Sequence, residues 1–68
     1  MLSLYARVRP ASDKYGGDGA DRGMLGYIIE VYEGGSYEVE FSDQNTGRTV
    51  AQVVVSAEDI VESPESSQ

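Results

Sequence analysis

The sequence predicts an all-β domain in which about five short strands build a small barrel. Two observations lead to this fold class. Apolar residues alternate with polar ones or run in short blocks, and turns rich in glycine separate those blocks. No segment has apolar residues at helical spacing over a useful length. The 68 residues suffice for one domain at most, and a chain of this length buries only about 60% of its unfolded surface.

The first half of the chain contains two predicted strands and a loop. The first strand is predicted over residues 2–8, and Pro10 is expected to stop it because proline has no N–H to donate. Residues 11–23 form a polar loop that is long for so small a domain, and long loops tend to be functional or mobile. The second strand, over residues 25–32, is the strongest, and Gly26 within it indicates a bend or a close approach of backbones.

Two hairpins are predicted in the middle of the domain. Residues 33–36 contain two adjacent glycines, which supply the positive φ angles of a tight turn. Residues 43–48 form the second turn, with Asn45 and Gly47 as its turn residues. The strand between them, over residues 36–42, alternates between an apolar side and an acidic side: Tyr37, Val39 and Phe41 on the first, Glu38 and Glu40 on the second.

The last part of the domain contains two further strands. The strand over residues 49–55 is expected to alternate between core and solvent: Ala51, Val53 and Val55 inward, Val50, Gln52 and Val54 outward. Residues 56–59 resemble a capped helical turn, and residues 60–61 add a brief final strand beside the first. We therefore expect the barrel to cover residues 1–62 and the acidic residues 63–68 to form a disordered tail.

The order of these elements is typical of SH3-like small barrels. The pattern consists of a long early loop, two tight hairpins and a single helical turn before the last strand. Closure of the barrel would explain how so few residues protect their strand edges. The alternative is an open meander of four or five strands that pairs with a second copy. The sequence leaves open whether the protein is a monomer or a homodimer.

The net charge is −7 and it is unevenly distributed. Residues 1–22 hold four basic and three acidic side chains, a sum of +1, whereas residues 23–68 hold one basic and nine acidic side chains, a sum of −8. Binding to phosphates depends on clustered lysine and arginine, so direct contact with DNA or RNA is not expected. The distribution favours a protein partner with a basic surface, or serves solubility alone.

The composition argues against an enzyme. The chain has no histidine, which removes the commonest general base and the commonest metal ligand, and no cysteine, which excludes a thiolate metal site. Lys14 is the only lysine, so the serines lack an obvious activating base. We predict no catalytic residues and no cofactor. No membrane span and no signal peptide is recognisable, and a cytoplasmic location is expected by default.

The loop contains the only motif that suggests a metal. Residues 16–21 read Gly-Gly-Asp-Gly-Ala-Asp, which matches the start of a calcium-binding nonapeptide. Such repeats hold calcium between successive turns of a solenoid, so one isolated copy cannot build the site. Asp13, Asp18 and Asp21 also lack the spacing of an EF-hand loop. No metal site is therefore predicted.

Residues 23–41 carry a family resemblance. They contain Gly-x-x-Gly-x-Ile-Ile-Glu-Val-Tyr at residues 23–32 and Tyr-Glu-Val-Glu-Phe at residues 37–41. This pattern resembles a family of short bacterial proteins that is classed as a domain of unknown function and has an SH3-like barrel. The resemblance extends over about residues 4–62. It implies the fold and says little about function.

The predicted contact residues follow from composition and from analogy. Exposed tyrosines are favoured at protein contacts, and five of the six aromatic residues are tyrosine. Tyr27 and Tyr32, five positions apart, are expected on opposite sides of their strand. In SH3-like barrels the long first loop and the hairpin beside it border the usual contact groove. We therefore predict a protein-binding site that combines this groove with the acidic strand face: Tyr15, Asp18, Asp21, Tyr32, Glu33, Glu38 and Glu40.

Two functional hypotheses follow. The first is a non-catalytic binding domain that inhibits or neutralises a partner protein, in the manner of an immunity protein, an antitoxin or a phage-type inhibitor. Its acidic residues 30–43 would cover a basic site, such as one that normally receives nucleic acid. The alternative is a small structural subunit that docks onto a larger enzyme or an electron-transfer complex.

Overall fold

The fold is all-β, with five antiparallel strands in one unclosed sheet. A computed structural model describes residues 2–43 and 45–63, and the order of strands across the sheet is β4-β3-β2-β1-β5. The strands are β1 (Arg7–Pro10), β2 (Leu25–Tyr32), β3 (Ser36–Ser42), β4 (Thr49–Ser56) and β5 (Ile60–Glu62). Two single 3-10 turns accompany them, at Gly16–Asp18 and at Ala57–Asp59. This architecture is consistent with a small SH3-like barrel and confirms the predicted fold class.

Four of the five strands lie where the sequence places them. β2 and β3 have the predicted bounds, β4 and β5 each extend one residue further, and β5 pairs with β1. The turn between β2 and β3 has φ angles of 90° at Gly34 and 86° at Gly35, a conformation that only glycine adopts readily. The 3-10 turn over Ala57–Asp59 is the predicted helical turn before the last strand.

The prediction for the first strand was wrong in its extent. β1 begins only at Arg7, because the chain turns at Tyr5, whose φ is +68°. The Ala6 amide donates to the Ser3 carbonyl over 3.0 Å, which closes this turn. Pro10 is the last residue of β1 rather than a residue beyond its end. Pro10 pairs with Ile60 of β5. β2 does not pair with β1 at this position, so no strand there needs the hydrogen bond that proline cannot donate.

The core lies on one side of the sheet. The apolar residues of β3 and the inward residues of β4 contribute as predicted, although Val53 is only half-buried. The long loop also contributes, because Ala20 is fully buried and Tyr15 packs against the cluster. The buried core residues are Val8, Ala20, Ile28, Tyr37, Val39, Phe41, Ala51, Val55 and Ile60.

The predicted tail lies almost entirely outside the described residues. Ser63 is described, and its amide donates to the Arg7 carbonyl over 2.7 Å, which extends the contact between β5 and β1. Residues 64–68 lie outside the description. The disordered tail and the domain bounds 1–62 therefore stay predictions.

Candidate functional site

The solvent side of β2, β3 and β4 carries the candidate site. Cross-strand registers align its side chains in rows, with Tyr27 beside Glu40 and Gln52, and with Glu38 beside Val54. We call this surface the outer face. It consists of seven side chains: Tyr27, Glu30, Tyr32, Glu38, Glu40, Gln52 and Val54.

A β-bulge brings the two tyrosines of β2 to the same face. The register between β2 and β3 shifts between Ile28 and Glu30, which adds one residue to β2. Tyr27 lies opposite Glu40 of β3, and Tyr32 lies opposite Ser36 of β3. Ser36 and Glu40 are four residues apart on a regular strand, so both lie on the same side of it. The two tyrosines therefore share a side with the acidic residues, and the expectation that they lie on opposite sides was wrong.

Glu38 lies at the centre of a hydrogen-bond network on the outer face. The Tyr32 hydroxyl donates to Oε1 of Glu38 over 2.5 Å, and the Gln52 amide donates to Oε2 over 2.6 Å. The bond from Gln52, followed by the bond from Tyr32, lowers the pKa of the Glu38 carboxyl below its usual value. The same contact with Glu38 raises the pKa of the Tyr32 hydroxyl. Three neighbouring strands are thus joined around a carboxylate that stays ionised.

The outer face concentrates negative charge. Glu30 lies directly opposite Glu38, an arrangement of like charges that disfavours the strand pair. Glu40 accepts a hydrogen bond from the Thr49 hydroxyl over 2.9 Å. Within the described part of the chain, none of these three carboxylates forms a salt bridge. Their charge is therefore available to a cationic surface.

Large side chains lie exposed among these carboxylates. Tyr27 is 46% exposed, Tyr32 40% and Val54 53%. Tyrosine supplies much contact area and one polar group, and it is enriched at protein interfaces. The outer face therefore combines large exposed side chains with negative charge.

Tyr15, predicted as a contact residue, is bound within the domain. It is half-buried, and its hydroxyl donates to Oδ2 of Asp59 over 2.8 Å. Lys14 Nζ lies 3.1 Å from the same oxygen. Burial, and then the bond to Asp59, raises the pKa of the Tyr15 hydroxyl. These contacts fix the first part of the long loop to the 3-10 turn that precedes β5.

The remaining predicted residues are divided between the two ends of the sheet. Asp18 is exposed in the loop, and Asp21 borders an open depression together with Met24 and Asp43. This depression lies at the end where β2 begins, whereas Glu33 is exposed at the hairpin where β2 has ended. The structure therefore unites three of the predicted residues, Tyr32, Glu38 and Glu40, in the outer face and places Asp18 and Asp21 elsewhere.

We expect Tyr15→Phe to raise the pKa of Asp59. The Tyr15 hydrogen bond is the largest cause that lowers the pKa of this carboxyl, followed by the bond from Lys14. A lowered folded-state pKa contributes stability above the unfolded value of about 3.9, and the contribution is lost as the pH falls through the folded-state value. Without the hydroxyl, the titration of Asp59 followed by carbon-13 NMR should shift towards ordinary aspartate.

The matched control for this variant is Tyr5→Phe, because Tyr5 is 70% exposed. It should leave the pKa of Asp59 unchanged. An Asp59 titration that is the same in Tyr15→Phe and in the wild type would contradict the hydrogen bond by which Tyr15 of the loop contacts Asp59 of the 3-10 turn.

Two further features concern metals and membranes. Among the residues with a described position, no three acidic side chains are grouped so that they could hold a metal ion. This includes the loop aspartates Asp13, Asp18 and Asp21. No helix in the same part of the chain is long and apolar enough to cross a membrane.

Comparison with known proteins identifies a family and nothing closer. The model of a family described as a domain of unknown function, DUF4926, matches residues 12–62, which are 51 of the 68 residues. No curated protein matches the chain. No solved structure matches it either.

Proposed function

The chain belongs to the DUF4926 family of domains of unknown function, and we propose that this member is a non-catalytic protein-binding domain. Its outer face covers a basic surface of a partner protein and thereby inhibits or neutralises that partner. The observation that supports this proposal lies on one sheet face, where three carboxylates that form no salt bridge within the described residues stand beside exposed tyrosines. A cytoplasmic location is part of the same proposal.

The chemistry of the outer face indicates what the partner must offer. Lysine or arginine side chains can pair with Glu30, Glu38 and Glu40, and arginine can also stack on the rings of Tyr27 and Tyr32. Complementary charge speeds association and excludes acidic partners. A surface that normally binds nucleic acid has these properties. Covering it would block the partner's activity.

The exposed tyrosines also support a second candidate function. Permanent assemblies have interfaces that are more apolar than those of transient complexes. Tyr27 and Tyr32 suit such an interface if the domain is a structural subunit of a larger enzyme or electron-transfer complex. Salt distinguishes the two candidates, because a charge-driven complex weakens as ionic strength rises and an apolar one does not.

Charge reversal on the outer face tests the proposal. A protein captured from a lysate by the immobilised domain is purified, and its affinity for the domain is measured by titration calorimetry at low and at high salt. We expect Glu38→Lys with Glu40→Lys to weaken binding by about tenfold or more, equivalent to about 1.4 kcal/mol. The captured protein should also lose its activity when the wild-type domain is added.

The control carries the same change of charge in the long loop. Asp18→Lys with Asp21→Lys alters two exposed residues that lie outside the outer face. We expect this variant to bind with nearly wild-type affinity, and circular dichroism checks that both variants are folded. Binding that survives reversal of Glu38 and Glu40 but not of Asp18 and Asp21 would transfer the site to the loop.

A further inference from the structure

Another depression lies beside the outer face, at the end of the sheet where β2 begins. Its volume is about 370 Å³. Arg7 of β1 is in register with Tyr27 of β2, so their side chains emerge on the same side of the sheet. The lining residues come from β1, β2, β3 and the turn after β3: Arg7, Leu25, Tyr27, Ser42, Asp43 and Gly47. We call this concavity the Arg7 depression.

The charge of Arg7 has no anionic partner among residues 2–43 and 45–63. The side chain is half-buried, and its Nε is a buried atom without a hydrogen-bond acceptor in that part of the chain. Asp43 lines the same depression, yet no salt bridge joins it to Arg7, and its Oδ1 accepts a hydrogen bond from the Asn45 amide over 2.7 Å. A guanidinium that is partly desolvated and unpaired gains more from a bound anion than a fully exposed one does.

We propose that the Arg7 depression binds a carboxylate that is attached to an apolar group. Because Nε is buried, the two terminal nitrogens of Arg7 face the ligand and donate two parallel hydrogen bonds to the carboxylate oxygens. The Ser42 hydroxyl supplies a further donor. Leu25 and the ring of Tyr27, which is 46% exposed, pack against the apolar part of the ligand.

The negative charge around the Arg7 depression favours a singly charged ligand. Asp43 is part of the lining, and Glu40 lies opposite Tyr27 on the next strand. Arg7 is the one cation among the described lining residues, in a chain whose net charge is −7. Phosphates and nucleic acids require clustered lysine and arginine. A single guanidinium beside a carboxylate therefore suits an organic monocarboxylate better than a phosphate.

Titration of the unmodified domain with N-acetyl-leucine tests the proposal. This compound carries one carboxylate next to one apolar side chain. In nitrogen-15 NMR spectra we expect saturable shifts of the amide signals of Arg7, Tyr27, Ser42 and Gly47, with a Kd on the order of 1 mM, as for a small ligand in an open site. The signal of Gly34, at the other end of β2, should not move. Shifts that do not saturate by about 50 mM, or that do not concentrate at the depression, would overturn the proposal.

Two chemical controls use the same unmodified domain. The primary amide of N-acetyl-leucine has the same shape without the charge, and we expect it to bind at least about tenfold more weakly. Inorganic phosphate at the same ionic strength should also bind more weakly than N-acetyl-leucine. An amide that binds as tightly as the acid would reduce the site to an apolar contact, and phosphate that binds as tightly would make it a general anion site. Either result would contradict a carboxylate site.

Replacement of Arg7 provides the matched variant. Arg7→Gln removes the charge, and we expect it to lower the affinity for N-acetyl-leucine by about tenfold or more. Arg9→Gln is the control, because Arg9 belongs to the same strand but its Nε donates to Ser63 Oγ over 3.3 Å, and it does not line the depression. Circular dichroism checks that both variants fold. Equal losses in the two variants, or no loss in Arg7→Gln, would overturn the proposal.

The carboxylate site and the proposed binding to a basic partner fail independently. The titrations need no partner protein, and Arg7 is not one of the carboxylates that would contact a basic surface. Charge reversal at Glu38 and Glu40 should leave the binding of N-acetyl-leucine intact or strengthen it, since it removes negative charge near the depression. A Glu38→Lys, Glu40→Lys variant that no longer binds N-acetyl-leucine would place the ligand on the outer face and not at Arg7.

Discussion

Replacing Gly26 by alanine is expected to remove about 1–3 kcal/mol of folding free energy, in line with other overpacked cores. A Cβ atom at this position would lie 2.7 Å from Cγ1 of Val39 and 2.8 Å from Cδ1 of Phe41. It would also lie 2.9 Å from the carbonyl oxygen of Glu40, a backbone atom that cannot rotate away. A domain of this size has about 3–5 kcal/mol in total, so the substitution removes a large share of it.

Urea denaturation followed by circular dichroism measures this effect, and Gly17→Ala is the control. Gly17 has no other atom within 4 Å of its missing Cβ, and it lies in an exposed 3-10 turn. Its replacement should leave the midpoint of unfolding nearly unchanged. If Gly26→Ala and Gly17→Ala unfold at the same urea concentration, the close packing of β2 on β3 is not as described.

Gly26 illustrates what the sequence can predict about this fold. A glycine inside a strong strand indicates a close backbone approach, and the structure shows such an approach to β3. The bounds of β2 and β3 were predictable for a related reason. Clean alternation in residues 36–42 and a turn of two glycines leave little freedom in register.

The start of the first strand was not predictable, because it depends on a backbone conformation that the sequence does not reveal. Residues 2–8 are mostly apolar, and that pattern fits a strand. The chain nevertheless turns at Tyr5, which adopts a positive φ that is uncommon for tyrosine. No sequence pattern marks this residue. The hydrogen bonds that hold this turn, such as the one from the Tyr5 amide to the Ile28 carbonyl, link distant parts of the chain.

The outer face was only partly predictable. The positions of Glu38, Glu40 and Val54 followed from alternation. Tyr27 was not among the predicted contact residues, and Glu30 entered only through the acidic stretch 30–43; a bulge after Ile28 places both on one face with Tyr32. The run from Tyr27 to Val31 contains adjacent apolar residues, so an extra residue in it leaves no trace in the pattern. The hydrogen bond that holds Tyr15 was not predictable either, since its partner Asp59 is 44 residues away.

Phe41→Ala is expected to unfold the domain under ordinary conditions. Phe41 is fully buried and is among the largest fully buried side chains of the core. Truncation of a buried phenylalanine to alanine costs about 3–5 kcal/mol, because transfer free energy is lost and a cavity remains. That loss equals the whole stability expected for a small single-core domain. Circular dichroism and dispersion of the amide proton NMR signals report the loss of structure.

Tyr27→Ala is the matched control, because it removes an aromatic ring from the neighbouring strand on the other face of the sheet. Tyr27 is 46% exposed, and exposed substitutions usually change stability by about 0.5 kcal/mol or less. The variant should therefore fold, while it weakens partner binding through the outer face. A folded Phe41→Ala together with an unfolded Tyr27→Ala would mean that the core lies on the opposite side of the sheet.

The stability costs of substitutions at Phe41 and at Gly26 should depend on each other. This gives a second test, because the stability of Phe41→Ala cannot be measured if that variant is unfolded. The two residues face each other across β2 and β3, and Phe41 Cδ1 occupies the space that a side chain at Gly26 would need. Phe41→Leu is milder and frees part of that space. The cost of Gly26→Ala should therefore be smaller in the Phe41→Leu background than in the wild type. The relief should be incomplete, because the Glu40 carbonyl still obstructs the new Cβ. If Gly26→Ala and Phe41→Leu lower the stability additively, the Phe41 ring does not rest on Gly26.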